Sequence, residues 1–229
     1  MSWLRENRWR IAAVVAALTV VVVGKQWYRD ASANDLRWIL APTAQLVSWT
    51  TGHDFVYESG QGWLNTDVMF LIAPACAGVH FALAALLALT LGSLAGMTSW
   101  QQTAKRLALA TLLAYAGTLV INTIRITVAV ETHRPDMHRM QGILLYLVGL
   151  CGLHALARVI EGRKLRNVKW LAIPLCAYVL ITLVLPLANG AAQRDDFVRH
   201  ATAVLVACFG VVAIATFYEL VRWSLRRNS

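Results

Sequence analysis

Charge is scarce in this sequence. Asp, Glu, Lys and Arg together make up 14% of its 229 residues, while the apolar types make up 58%. Mean hydropathy is +0.56. A chain with so little polar surface cannot cover a soluble fold of this size, so it reads as a polytopic membrane protein, a single integral membrane domain over residues 1–229. Other absences narrow its chemistry. There is no zinc-type pair of closely spaced cysteines, no phosphate-binding P-loop and no GxGxxG, which removes the sequence signals for a structural zinc, a nucleotide or a dinucleotide. No metal and no cofactor is implied. The four cysteines, Cys76, Cys151, Cys176 and Cys208, all lie in apolar segments, so no disulfide framework is expected. No internal repeat or low-complexity tract is visible.

The charge that is present is mostly positive, with a formal net charge of +9. In a soluble protein that excess would point to nucleic acid. Here it is explained by basic loops that orient helices in the lipid bilayer, and no nucleic-acid partner is expected. Six apolar stretches are long enough to span: Ile11–Gly24, the segment around Cys76, and about Leu107–Val130, Gln141–Ile160, Trp170–Leu187 and Ala201–Val221. Trp9 and Trp27 flank the first, 18 residues apart, about 27 Å along a helix, as two interface anchors would. Ala31-Ser-Ala33 resembles a signal-peptide cleavage site, but Lys25 and Arg29 stand between it and the apolar run, which favours a retained span. With the N-terminus inside, 13 of the 21 basic residues fall in inner segments and 7 in outer ones, leaving Arg125 within a span. The positive-inside rule then places both termini in the cytoplasm.

Residues 28–66 form the longest polar stretch and lie on the extracytoplasmic side in this orientation. Asn34 or Asp35 can cap a helix running to about Trp49, with Leu36, Ile39, Leu40, Leu46 and Val47 on one face and a kink at Pro42. That helix is expected to lie in the interface rather than to span. Gly52 to Asn65 reads as a loop or short strand that either covers the Cys76 segment or only connects to it. The expected fold is therefore all-α, a polytopic bundle of about six transmembrane helices plus an outer interfacial helix.

The segment Ile72-Ala-Pro-Ala-Cys-Ala-Gly-Val-His80 interrupts an apolar run from Val68 to Gly96. Proline forbids one continuous helix there and suits a first turn, so a helix is expected to restart near Pro74 with Cys76 in that turn. The unpaired N–H groups and positive dipole end of a helix start favour a thiolate, and so a nucleophile. The alternative is that Cys76 is a small buried hydrophobe, as most cysteines in apolar helices are.

Arg125 lies about one and a half turns from the outer end of its span. Arginine in a span costs about 2.5–3.5 kcal/mol at its centre and usually faces the bundle interior. Tyr115, Thr118, Asn122 and Arg125 share one helical face, which suits contact with other helices; snorkelling to the headgroups is the other reading. His133 and His138 follow in the next outer loop. His138 precedes Gly142, Gly149 and Gly152, small residues that allow close helix packing. His80, one turn below Cys76, either supports the site or is a core histidine. A thiol, a guanidinium and an imidazole thus share one depth at the outer boundary.

Two rivals from other classes remain. A haem-binding electron-transfer protein would need His80 and His154 at one depth, and they differ by about 13 Å along the helical rise. A non-enzymatic scaffold or a transporter would suit a broken helix at Pro74, but transporters commonly show repeat symmetry.

Three blocks together resemble the signatures of the exosortase/archaeosortase family: Ala-Pro-Ala-Cys-Ala-Gly78, Asn-Thr-Ile-Arg125 and His138-x-x-x-Gly142. The resemblance covers about residues 68–150, the catalytic core of that family, and is greatest to the small exosortases of the K type. Ala77 stands where the family often has Ser, the Arg125 to His138 interval is short, and the spans are fewer than in larger members. The resemblance implies a membrane-embedded cysteine transpeptidase with Cys76, Arg125 and His138 as catalytic residues and His80, Asn122, Gly78 and Gly142 in support. It implies exported protein substrates bearing a C-terminal sorting motif, a transmembrane helix and a basic tail. These would be cleaved on the extracytoplasmic side of the bacterial inner membrane and passed to a surface acceptor.

Overall fold

The computed structural model describes residues 2–132, 135–165, 168–193 and 195–227. It is a helical bundle with six stretches long and apolar enough to cross a membrane: Trp3–Asp30, Pro74–Gly96, Trp100–Thr132, Gln141–Ile160, Val168–Ala188 and Phe197–Leu225. The elements are α1 (Ser2–Asp30), α2 (Arg37–Thr51), strands β1 (Val56–Glu58), β2 (Gly62–Asn65) and β3 (Phe70–Ile72), α3 (Val79–Ser93), α4 (Trp100–Thr132), α5 (Pro135–Ile160), α6 (Ala172–Val179), α7 (Leu185–Ala188) and α8 (Phe197–Arg227).

Helix α3 is the hub. Two-thirds of the most apolar window of the Pro74–Gly96 span that contains it is buried in the protein (67%), against 11% for the span of α8. Phe81, Ala84, Leu87 and Ala88 have almost no exposure. A helix apolar on every side with its surface inside is a central span; α8, equally apolar but uncovered, faces lipid. Helix α1 is built into the bundle against α3, where Gly24 would bring a Cβ to 3.2 Å from Leu83 Cδ2.

Helix α2 begins differently from expectation. Neither Asn34 nor Asp35 sits at the cap position. Instead, Ser32 and Asp35 brace the preceding turn reciprocally: Ser32 N and Oγ donate to Asp35 Oδ2 at 2.9 and 2.7 Å, and Asp35 N donates to Ser32 Oγ at 3.3 Å. The Ser32 hydroxyl, and then its backbone N–H, hold the Asp35 carboxyl below its usual range. The helix buries Ile39, Leu40, Thr43, Ala44 and Val47 and leaves Trp38 and Trp49 exposed, the division expected of an interfacial helix.

Gly52 to Asn65 is more than a connector. It forms two strands of a three-stranded antiparallel sheet in which the central β2 pairs with β1, Val56 opposite Leu64, and with β3, Trp63 opposite Ile72. Gly62 makes the pairing possible, because a Cβ there would fall 2.3 Å from the Ile72 carbonyl oxygen. Arg37 lies over the Tyr57 ring at 5.2 Å and joins the sheet to α2. The chain therefore enters the Cys76 segment from a strand paired with β2.

Two of the prolines in helical segments each leave a carbonyl that another helix satisfies. Pro42 has no N–H for the carbonyl of Trp38, four residues back, and Tyr115 Oη on α4 donates to that oxygen at 2.9 Å. The second case is at the far end of the bundle wall. Between α6 and α7 the chain makes a π-turn, Leu180–Val184, in which Leu185 N bonds back five residues to Leu180. The next donor in that register would be Pro186, which has none, for the carbonyl of Ile181. Lys25 Nζ of α1 donates to it instead. This accounts for a lysine within the first span. Lys25→Met keeps the chain length but orphans the carbonyl; it is expected to destabilise the protein by about 2 kcal/mol. Thermal unfolding in detergent measures this, and an unchanged midpoint would contradict the role.

Candidate active site

The Cys76 segment departs from the expected helix start. Ala73 is extended (φ −84°, ψ 172°), and Pro74 opens a single 3-10 turn, Pro74–Cys76. Cys76 N donates to Ala73 O at 2.8 Å and Ala77 N to Pro74 O at 3.0 Å. Gly78 then takes a left-handed conformation (φ 71°), and α3 begins only at Val79. Cys76 is therefore not in the first turn of α3. The left-handed residue breaks the hydrogen-bond ladder and turns the chain. A Cβ on Gly78 would in addition meet Thr118 Cγ2 at 3.1 Å, Asn122 Cγ at 3.2 Å and Tyr146 Oη at 3.2 Å. Conformation and space both require glycine at this position.

Three helices hold the turn. From α1, Tyr28 Oη donates to Pro74 O at 3.0 Å. From α4, Asn122 Nδ2 donates to the carbonyl of Cys76. The Asn122 Oδ1 accepts from Arg125 Nε at 3.2 Å and from Tyr146 Oη of α5 at 2.9 Å. The polar face of α4 is thus turned inward: Thr118 and Asn122 are fully buried, and Arg125 lies half-buried over the Tyr146 ring, 5.2 Å from its centroid. Arg125 is bound within the bundle rather than reaching for headgroups. Its Nη2 is buried and has no protein partner among the described residues.

The other expected residues fall as follows. Cys76 is half-buried and unbridged; Cys151 is buried, Cys208 half-buried and Cys176 exposed. Gly142 lies against Arg125, but a Cβ there would sit at an ordinary 3.5 Å from Arg125 Cδ, so alanine would fit. Gly149 packs tightly on Ile121, whereas nothing approaches Gly152, which takes no part in the helix contact. His80 is not a core residue and not on one helical run with Cys76. It is exposed, with its ring edge-on to Tyr28 at 5.2 Å. His138 occupies the first turn of α5, with its side chain outside the described residues, as is the whole of His133. His154 is buried at the other end of α3, where its Cε1 occupies the space beside Gly92, and it stacks on Trp170. Gly92 is twelve residues beyond His80, about 18 Å along the helix, so these two imidazoles cannot share a haem.

A cleft opens beside the turn. Two adjoining cavities of about 550 and 430 Å³ share Lys25, Ala75, His80, Pro186 and Ala191 as lining. Arg125, Gly142 and Tyr146 form one wall of the larger cavity, and Asp196 and His200 part of the opposite wall. A space of that size admits an extended stretch of peptide. Tyr28 and Tyr146 were not singled out in the sequence. Tyr146 reads as one more apolar helix position, and its one available signal is its place one turn after Gly142, on the face toward Arg125.

Residues 4–156 match the family described as transmembrane exosortase. No curated protein and no solved structure matches the chain. The matched stretch carries α1, the sheet, the Cys76 turn, Asn122, Arg125 and most of α5; α6, α7 and α8 lie beyond it.

Proposed function

The chain belongs to the transmembrane exosortase family, and from that premise we propose that it is a membrane-embedded cysteine transpeptidase. It cleaves a C-terminal sorting signal of exported proteins on the extracytoplasmic side and transfers them to a surface acceptor. The observation that carries this reading is the Asn122 amide, which binds the Cys76 carbonyl with one end and Arg125 with the other. Such a link has no evident purpose in an inert apolar turn. It supports a site in which a nucleophile and a cation are held in fixed relation.

The steps follow from the groups. The Cys76 thiolate attacks the scissile carbonyl carbon, and the carbonyl electrons move to its oxygen. Collapse of that intermediate breaks the C–N bond and leaves a thioester on Sγ. His138 takes the thiol proton and returns one to the leaving amine. Arg125 places positive charge beside the thiolate and the oxyanion that follows it, in surroundings dry enough to strengthen both interactions. The acceptor nucleophile then attacks the thioester and Sγ leaves.

The placement of the residues supports an outer site. Tyr28 is near the end of α1, Arg125 near the end of α4 and Gly142 near the start of α5, all at one end of the bundle. The opposite end holds Arg106, Glu161 and Arg163; Arg106 pairs with Glu161, and Arg163 is 3.7 Å from it. Under the positive-inside rule that end is cytoplasmic, and the exosortase reading implies the bacterial inner membrane. Reporter fusions after Gly60 and Gln193 should read outside, and after Gln101 inside. The activity is tested by co-expressing an exported protein that ends in a shared motif, an apolar helix and a basic tail. Mass spectrometry should find it shortened at the motif only when this chain is present. An inside signal after Gly60, or a substrate of unchanged mass, would contradict the proposal.

A further inference from the structure

We infer that Tyr146 is the positioning residue of this site: its ring carries the Arg125 guanidinium, and its hydroxyl fixes the amide through which Asn122 holds the Cys76 turn. The inference rests on the reading of Cys76 as the nucleophile. It assigns a role to a residue outside all three signature blocks.

The chemistry of the amide comes first. A side-chain carbonyl oxygen has two lone pairs, and Asn122 Oδ1 uses both, for Arg125 Nε at 3.2 Å and Tyr146 Oη at 2.9 Å. With both donors in place, the amide cannot flip without burying its NH₂ against them. Nδ2 is thereby committed to the Cys76 carbonyl. The ring does separate work. Arg125 spends one donor on Asn122, while its Nη2 is buried without an acceptor among the described residues. A buried guanidinium nitrogen in that condition is unfavourable, and a side chain so placed would turn away unless something held it. The Tyr146 face beneath it, 5.2 Å from the guanidinium carbon, supplies that hold. The ring is itself braced by Phe81 of α3, at 5.3 Å. The hydroxyl also abuts the left-handed Gly78. A phenylalanine would pack in the same space, so the hydroxyl has a use that packing alone does not explain.

The consequence is that Tyr146 acts on the thiol through Arg125. If Arg125 serves the nucleophile, its loss slows alkylation at Cys76, because the thiolate is the form that alkylates. The test uses the full-length protein in detergent with Cys151, Cys176 and Cys208 changed to alanine, so that iodoacetamide reads Cys76 alone and no sorting substrate is needed. Tyr146→Leu should slow alkylation of Cys76 about tenfold, and Arg125→Met by a similar factor. The double variant should be no more than about twofold slower than Arg125→Met, because the two side chains act as one unit. Tyr146→Phe keeps the ring and should alkylate within about twofold of the parent, yet process substrate about fivefold more slowly for want of one hydrogen bond.

Alkylation of Tyr146→Leu at the parent rate overturns the inference. So does a Tyr146→Leu factor that is unchanged when Arg125 is already methionine. If Tyr146→Leu does not accumulate, Tyr146→Phe decides alone: a fivefold loss of processing at parental protein level supports the role, and full processing ends it. If substrate processing persists without Cys76, the transpeptidase reading fails while the alkylation series still reports on Tyr146.

Discussion

Arg125→Lys should reduce substrate processing about 100-fold or more while the protein accumulates normally. Lysine keeps the charge, so a loss cannot be assigned to electrostatics at long range. It removes the planar fork: Nε no longer donates to Asn122 Oδ1, and the flat cation no longer lies on the Tyr146 ring. Each of those contacts contributes about 1–2 kcal/mol in a desolvated setting, which together amount to roughly two orders of magnitude in rate. An arginine that only snorkelled would be replaced by lysine without effect. Immunoblotting of the membrane fraction sets the protein level, and the ratio of processed to unprocessed substrate gives the result. Full processing by the lysine variant would return Arg125 to a purely anchoring role.

His138→Ala should stop cleavage, His133→Ala should leave it largely intact, and His80→Ala should weaken it by about tenfold at most. His138 stands one turn before Gly142 on α5, and Gly142 lies directly against Arg125. The expectation rests on that helical position, one turn from the residue that lies against Arg125. His133 precedes Pro135, the first residue of α5. His80 lines the cleft and meets Tyr28. Its edge-on contact with a ring and its place beyond the left-handed Gly78 fit a wall of the substrate space better than a proton carrier for Cys76. The three variants, compared at equal protein level by the fraction of substrate cleaved, separate these positions. Normal cleavage by His138→Ala with none by His80→Ala would exchange their roles.

The helices were legible because lipid imposes a length and a composition, and the six expected spans differ from the observed ones chiefly in being trimmed at their ends. The inward polar face of α4 was legible for the same reason: Thr118, Asn122 and Arg125 at helical spacing have no place in lipid. The three-stranded sheet was only half visible. Strands of three and four residues carry little periodic signal, and their pairing depends on Gly62 accepting the Ile72 carbonyl at close range, a long-range fact. The separation of the Cys76 turn from α3 was hidden by Pro74, which marks a helix start in isolation, whereas the left-handed Gly78 decides where the helix begins. The partners of Lys25 and Tyr115 are hidden in another way. Each of these two side chains satisfies a carbonyl that a proline on a different helix leaves open, and nothing local to either residue announces it. Tyr146 belongs with them, a hydroxyl whose partners come from α4.

The most direct test of the account is to trap the acyl-enzyme. With Cys76 intact and the acceptor withheld, the substrate should accumulate as a covalent adduct of this chain, stable to denaturing gel electrophoresis and released by neutral hydroxylamine as a thioester is. Peptide mapping should place it on Cys76. Cys76→Ser should give no such adduct, since a hydroxyl is a poor nucleophile without a base tuned to it, and replacement of Cys151, Cys176 or Cys208 should leave the adduct in place. Normal substrate processing by Cys76→Ala, with no adduct in the parent, would contradict the account and leave a scaffold or transporter as the reading of this bundle.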